Sequence, residues 1–212
     1  MRQKIKEHKK YFTNKKFLTS VIISLIFLVI SLVINFFAGT YATESASNSV
    51  TDIILSNIKT YDLDSFFIYG TIFFLLFIIF IFLLRPNKIP FTIKSIALFV
   101  IIRSIFITLT HLGPFPSQIT INSNFLNKFS FGADLFFSGH TGLPFLLSLV
   151  FWDDKWIRYI FISFSLIFAI VVLLAHLHYS IDVLSAFFIT YSIFHTALYI
   201  FKKDKKEAYF LK

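Results

Sequence analysis

Six apolar runs, at residues 17–37, 66–84, 91–110, 135–152, 159–175 and 181–201, constrain this chain more than any other feature. A helix rises about 1.5 Å per residue, so about 20 apolar residues cross the hydrocarbon core of a bilayer. The runs predict six transmembrane helices and an all-α integral membrane protein, a single six-helix bundle. Composition agrees: of 212 residues 57% are hydrophobic and 15% charged, with 31 Phe and a mean hydropathy of +0.78. Soluble globular chains carry about 25% charged residues, so a water-soluble domain is excluded. No internal repeat or linker divides the membrane domain at 17–201, which lies between basic tails at 1–16 and 202–212. The first run holds 21 residues. That exceeds the roughly 7–15 of a signal-sequence core and predicts an uncleaved anchor.

Charge gives the expected orientation. The net charge is +9, but the basic residues cluster beside apolar runs, as membrane loops do, so nucleic acid is not an expected partner. Sixteen Lys and Arg fall in the two tails and the loops around Arg85, Lys88, Lys155 and Arg158, whereas Lys59 and Lys128 stand alone on the other side. Positive loops stay in the cytoplasm. Both termini are therefore expected inside, and the loops 38–65, 111–134 and 176–180 outside. The second, fourth and sixth helices then start at the outer surface, where their free N–H groups and positive dipole ends would suit a phosphate. Contact of the basic tails with anionic lipid is expected as a consequence of topology. Without cysteine the chain has no disulfide, thiolate metal site or Cys nucleophile.

Ionisable residues inside apolar spans are costly and usually line a functional site. Two have plainer readings: Lys94 is expected to snorkel to the interface, and His195, 13 residues beyond Asp182, to be a buried structural histidine. Four others gather in the outer half of the membrane. Arg103 is expected about 10 Å deep and His140, five residues into its helix, about 8 Å deep. His178 and Asp182 flank the start of the sixth helix, four apart and so on one face. A carboxylate there can hold one ring nitrogen and leave the other free as nucleophile or base. His140 lies in Ser138-Gly139-His140-Thr141-Gly142, whose small residues let backbone N–H groups approach a ligand, and Pro144 should bend the helix beyond it. Zinc is the competing reading, with His140, His176, His178 and Asp182 as donors.

Two segments, Gly132-Ala133-Asp134-Leu135-Phe136-Phe137-Ser138-Gly139-His140-Thr141 and His176-Leu177-His178-Tyr179-Ser180-Ile181-Asp182-Val183, resemble the sphingomyelin synthase family of lipid phosphotransferases, within the phosphatidic acid phosphatase type 2 superfamily. Weaker matches are Arg103-Ser104-Ile105 through Thr110, and Asp52-Ile53-Ile54-Leu55 after the first helix. The resemblance implies a catalytic triad of His140, His178 and Asp182, with Arg103, Asp134, Ser138 and Gly139 at the phosphate or head group and no metal or other cofactor. It further implies transfer of a phosphorylated head group from a glycerophospholipid to ceramide or a similar lipid alcohol, releasing diacylglycerol, through a phosphohistidine. The superfamily's phosphatases carry a Lys seven residues before an Arg-Pro, and an Arg six residues before the second histidine. Here those positions are Ile78, ahead of Arg85-Pro86, and Val172. The departure favours a transferase over a lipid phosphatase, which would use the same histidines with water. A membrane transporter without chemistry is the third reading. Choline and ethanolamine donors, ceramide and diacylglycerol acceptors, and the oligomeric state are not distinguished by the sequence.

Overall fold

The computed structural model describes residues 11–119 and 136–209. It is all helical, with no strand among the described residues: α1 (Lys15–Glu44), α2 (Asp64–Leu84), α3 (Ile89–Leu109), α4 (Gly139–Val150), α5 (Lys155–Leu174), α6 (Ser180–Ile200) and α7 (Lys202–Tyr209). A single 3₁₀ turn, Pro86–Lys88, joins α2 to α3. Five of these helices, α1, α2, α3, α5 and α6, are long and apolar enough to cross a membrane.

The fourth run is the exception. The helix expected at 135–152 is only 12 residues long, about 18 Å, short of a full crossing. Phe136 and Phe137 precede it in irregular backbone, because Ser138 takes non-helical torsions and caps the helix, its Oγ accepting the Thr141 N–H at 3.4 Å. At the far end Asp154 accepts the Ile157 N–H and starts α5 at once.

Packing places the short helix centrally, against α5 and α6 with α3 beside it. Leu146, Leu147 and Val150 of α4 are fully buried. Helix α1 lies along α3 through a stripe of Phe17, Ser24, Ser31 and Ala38, seven apart, joined by Ala42. Small residues let the two backbones approach, which is how helices associate where no hydrophobic gain is available. Its serines satisfy their hydroxyls on Val21 and Leu28 of the same helix. Helix α2 leans on α5 through aromatic rings, Phe73, Phe74 and Phe77 against Phe161, Phe164 and Phe168, with centroids 5.2–6.1 Å apart. Such pairs contribute about 0.5–1.5 kcal/mol each beyond area burial.

The loops counted as positive meet at one end of the bundle. Arg85 pairs with Asp154 at 2.6 Å, and the buried Lys88 pairs with Asp153. One expectation is corrected here. Lys94 does not snorkel free: its Nζ is 2.7 Å from Asp204, which also accepts the Ser20 hydroxyl at 2.5 Å. The C-terminal basic tail is helical over most of its length. Its residues 202–209 form α7, held by that ion pair, which joins the starts of α1 and α3 to the C-terminal helix.

Candidate active site

The chain leaves α5 in a reversal that sets the two histidines of the 176–178 segment. Leu177 N–H bonds the Val172 carbonyl at 2.8 Å and His176 N–H the Leu173 carbonyl at 3.0 Å. This paired arrangement ends many helices, with a left-handed residue at its centre that is usually glycine. Here it is His176, at φ 55°, a residue type that tolerates this region better than most. Leu177 and Val172 pack together across the turn. The reversal carries His178 into the interior, where it is 7% exposed.

Two residues on, α6 begins with a reciprocal cap. Asp182 Oδ2 accepts the Tyr179 N–H at 2.9 Å, while the Asp182 N–H donates to the Tyr179 carbonyl at 3.0 Å. The same carboxylate oxygen lies 3.6 Å from His178 Nδ1. The expected face is therefore formed, as a contact longer than a hydrogen bond. Asp182 is wholly buried, and its Oδ1 has no hydrogen-bond partner among the described residues.

His140 stands in the first turn of α4, second residue rather than fifth, because the helix starts at Gly139. Its ring rests on Phe67, centroids 4.3 Å apart, and on Phe168 at 5.8 Å. Both His178 and Arg103 are near enough to act electrostatically on it. Main chain joins the two helix starts directly, since the Ser138 N–H donates to the Asp182 carbonyl at 3.2 Å. From α3, the buried Arg103 donates Nε to the Phe137 carbonyl at 2.9 Å. Its guanidinium lies against Gly139, where a Cβ would come within 3.3 Å of Nε. A side chain there would push the guanidinium back from the helix start by a few tenths of an ångström. Thr141 belongs to the same turn, and Ser165 of α5 donates to its carbonyl at 2.7 Å, one residue beyond the carbonyl that Pro144 leaves without its usual donor.

The structure brings His140, His178, Asp182, Arg103, Ser138 and Gly139 together. Asp134 lies outside the described residues. Of the three helix starts expected to attract phosphate, two already have a backbone amide bonded to a carboxylate. Asp64 opens α2, with its N–H on Asp62. At α6, Ser180 gives both its N–H and its hydroxyl to Asp52 Oδ2, at 2.7 and 2.8 Å. At α4 the N–H groups of Gly139 and His140 have no acceptor among the described residues.

Asp52 is the residue whose role the sequence left unread. Its other oxygen accepts the Ile54 and Leu55 N–H groups at 2.8 and 3.1 Å. Burial alone would raise its pKa, but the bonds from Ser180, Leu55 and Ile54 outweigh it and hold the carboxyl below its usual range. Tyr179 works beside it, its hydroxyl donating to the Gly113 carbonyl at 2.9 Å and accepting the Val50 N–H at 3.2 Å. Two loops are thereby fastened to the start of α6.

His176 serves the same framework. Its Nδ1 meets Ser117 Oγ at 2.7 Å and Thr60 Oγ1 at 3.1 Å. Burial lowers its pKa, against a smaller opposing pull from Asp52. Among the described residues no three His, Asp or Glu side chains converge as a metal site, so the four donors of the zinc reading are not assembled. The chemistry within reach is a buried His–Asp pair, a second histidine, a guanidinium and two free amides around one small volume.

Comparison with known proteins bears on the same stretch. A family model described as PAP2 superfamily C-terminal matches residues 132–199, about a third of the chain, spanning α4, α5 and nearly all of α6. The match supports the phosphatidic acid phosphatase type 2 superfamily, and with it an enzyme acting on lipid phosphates. It does not separate the sphingomyelin synthase branch from the others. No curated protein and no solved structure gives a significant match.

Proposed function

We propose that this protein is a lipid head-group phosphotransferase, moving phosphocholine or phosphoethanolamine from a glycerophospholipid to ceramide or a similar lipid alcohol. The observation that carries the reading is the convergence of the His178–Asp182 pair with His140 and Arg103 at the open start of α4. Asp182 faces Nδ1 of His178, and Nε2 is the nitrogen that would attack phosphorus. The bond from phosphorus to the diacylglycerol oxygen breaks, and protonated His140 supplies that oxygen's proton. His140, now neutral, takes the proton of the acceptor hydroxyl. The acceptor oxygen bonds to phosphorus, the P–N bond breaks, and His178 is regenerated. Arg103 and the amides of Gly139 and His140 hold the phosphoryl oxygens through both displacements. Each acid or base step contributes typically about 10²–10⁴ in rate.

Two features favour transfer over hydrolysis. A phosphodiester carries one negative charge, matching one guanidinium and two amides, whereas a phosphomonoester dianion calls for more cations. His140 also sits against Phe67 and Phe168, an apolar wall better suited to a lipid alcohol than to water. A lipid phosphatase of the same superfamily is the second reading, since the family match is equally consistent with it. The lysine and arginine imbalance supports cytoplasmic termini and a site on the extracytoplasmic side.

The test is a lipid assay on detergent-purified protein with fluorescent ceramide and phosphatidylcholine or phosphatidylethanolamine offered separately. A new phosphosphingolipid from one donor, absent in His178→Ala, is expected. Phosphate released from a lipid phosphate, with no product on ceramide, would replace this reading with the phosphatase.

A further inference from the structure

At the opposite end of α6 from His178 and Asp182, a cavity of about 770 Å³ opens beside α7, lined by His195, Leu198, Tyr199, Lys202, Lys205 and Lys206. The 21 residues of α6 span about 30 Å, so this cavity lies at the other membrane boundary. His195 is exposed on it, stacked on Tyr191 with centroids 4.4 Å apart, which corrects the expectation of a buried structural histidine. Tyr199 and Ile200 beside it are exposed apolar residues at the level where α6 leaves the bilayer.

The cations are placed there by the face pattern of α7. Asp204 and Ala208, four apart, are buried, and Asp204 is consumed by Lys94 and Ser20. Asn87 donates to the Ala208 carbonyl at 2.9 Å, and the Tyr209 hydroxyl to the Val150 carbonyl at 2.5 Å, so the helix is pinned along its length. Lys202, Lys205 and Lys206, three and four apart, fall on one outward face. Among the described residues none of these three pairs with a carboxylate. Lys202 instead lies over the Tyr199 ring at 4.1 Å. Three ammonium groups held together in a concave site at a membrane boundary repel one another until an anion joins them.

We propose that this cavity binds the head group of an anionic phospholipid in the leaflet opposite the active site. The lysines meet the phosphate oxygens, while Tyr199 and Leu198 flank the glycerol and the first methylenes. A membrane phospholipid fits better than a soluble anion because the wall on the α6 side is apolar and lies at lipid level.

The experiment uses the full chain in detergent, titrated with phosphatidylglycerol or phosphatidylcholine, with bound lipid counted by native mass spectrometry. Wild type is expected to retain phosphatidylglycerol in preference to phosphatidylcholine. The variant Lys202→Gln/Lys205→Gln/Lys206→Gln should lose about fivefold per lysine, on the order of a hundredfold together. A control of equal charge loss outside the cavity, Lys15→Gln/Lys16→Gln/Lys203→Gln, should keep the affinity. If the first variant aggregates, Lys206→Gln alone carries the test, with the fivefold loss. Equal losses in the cavity and control variants, no preference between the two lipids, or full displacement by equimolar inorganic phosphate would each overturn the proposal.

Discussion

Replacing Asp52 by Ala removes the carboxylate that accepts four hydrogen bonds, two within its own turn and two from Ser180. The donor on Ile54 belongs to an exposed residue, so water can replace its partner, whereas Leu55 is buried. The Ser180 pair is different, because it starts α6 and lies between His178 and Asp182. Hydrogen bonds to a charged group contribute about 1.5–3 kcal/mol each, and an orphaned helix start costs a comparable amount. A loss of roughly 2–4 kcal/mol follows, or a fall in Tm on the order of 5–15 °C for a chain of this size. Activity should fall further than stability alone would dictate. An error near 1 Å in placing a catalytic group costs about a hundredfold in rate, and here it would appear in kcat while KM changes little. The pH dependence gives a second handle. The folded pKa of Asp52 lies below its ordinary value of 3.8, so its stabilisation is complete above that pH and is lost as pH falls through the lower folded value. Asp52→Asn should lack this acid limb. Thermal unfolding in detergent and diacylglycerol release at saturating donor are the assays. A Tm and kcat in Asp52→Ala equal to wild type would refute the claim that this carboxylate holds the start of α6.

Two further outcomes test the site and its frame. Gly139→Ala puts a Cβ 3.3 Å from Arg103 Nε, which forces the guanidinium outward by a few tenths of an ångström, while alanine in a helix gains about 0.5–1 kcal/mol over glycine. Turnover should therefore drop about tenfold with Tm unchanged or raised, and wild-type turnover would show that Arg103 does not reach the substrate. The lowered pKa of His176, from 6.5, means that the unfolded chain binds more protons just below that pH, so stability should be lost as pH falls through it. His176→Gln should flatten the dependence of Tm on pH between about 7 and 5, and parallel curves for the two proteins would remove His176 as its source.

The sequence by itself determined that this chain is an α-helical membrane protein, because runs of apolar residues near bilayer length leave few other solutions. It also determined which polar residues needed a reason. His178 and Asp182 share a face by their spacing alone, and a buried charge or imidazole in an apolar span is conspicuous for its cost. Local periodicity, however, does not register what meets a helix end. Gly139 starts α4 because Ser138 turns out of the helix to bond the Asp182 carbonyl, a partner 44 positions away in the chain, so the fourth span came out shorter than its apolar run. Of the three helix starts expected to attract phosphate, two have an amide already bonded to a carboxylate, Asp62 at α2 and Asp52 at α6. His195 reads as buried from its place in an apolar run but lines an exposed cavity, because burial in a bundle depends on which neighbours cover a face. The tail residues Lys202–Tyr209 fold onto the bundle, where Asp204 pairs with Lys94, an isolated cation inside a span. Composition and spacing thus set the class of fold and the chemistry at hand, while long-range contacts decided which groups meet at each helix start.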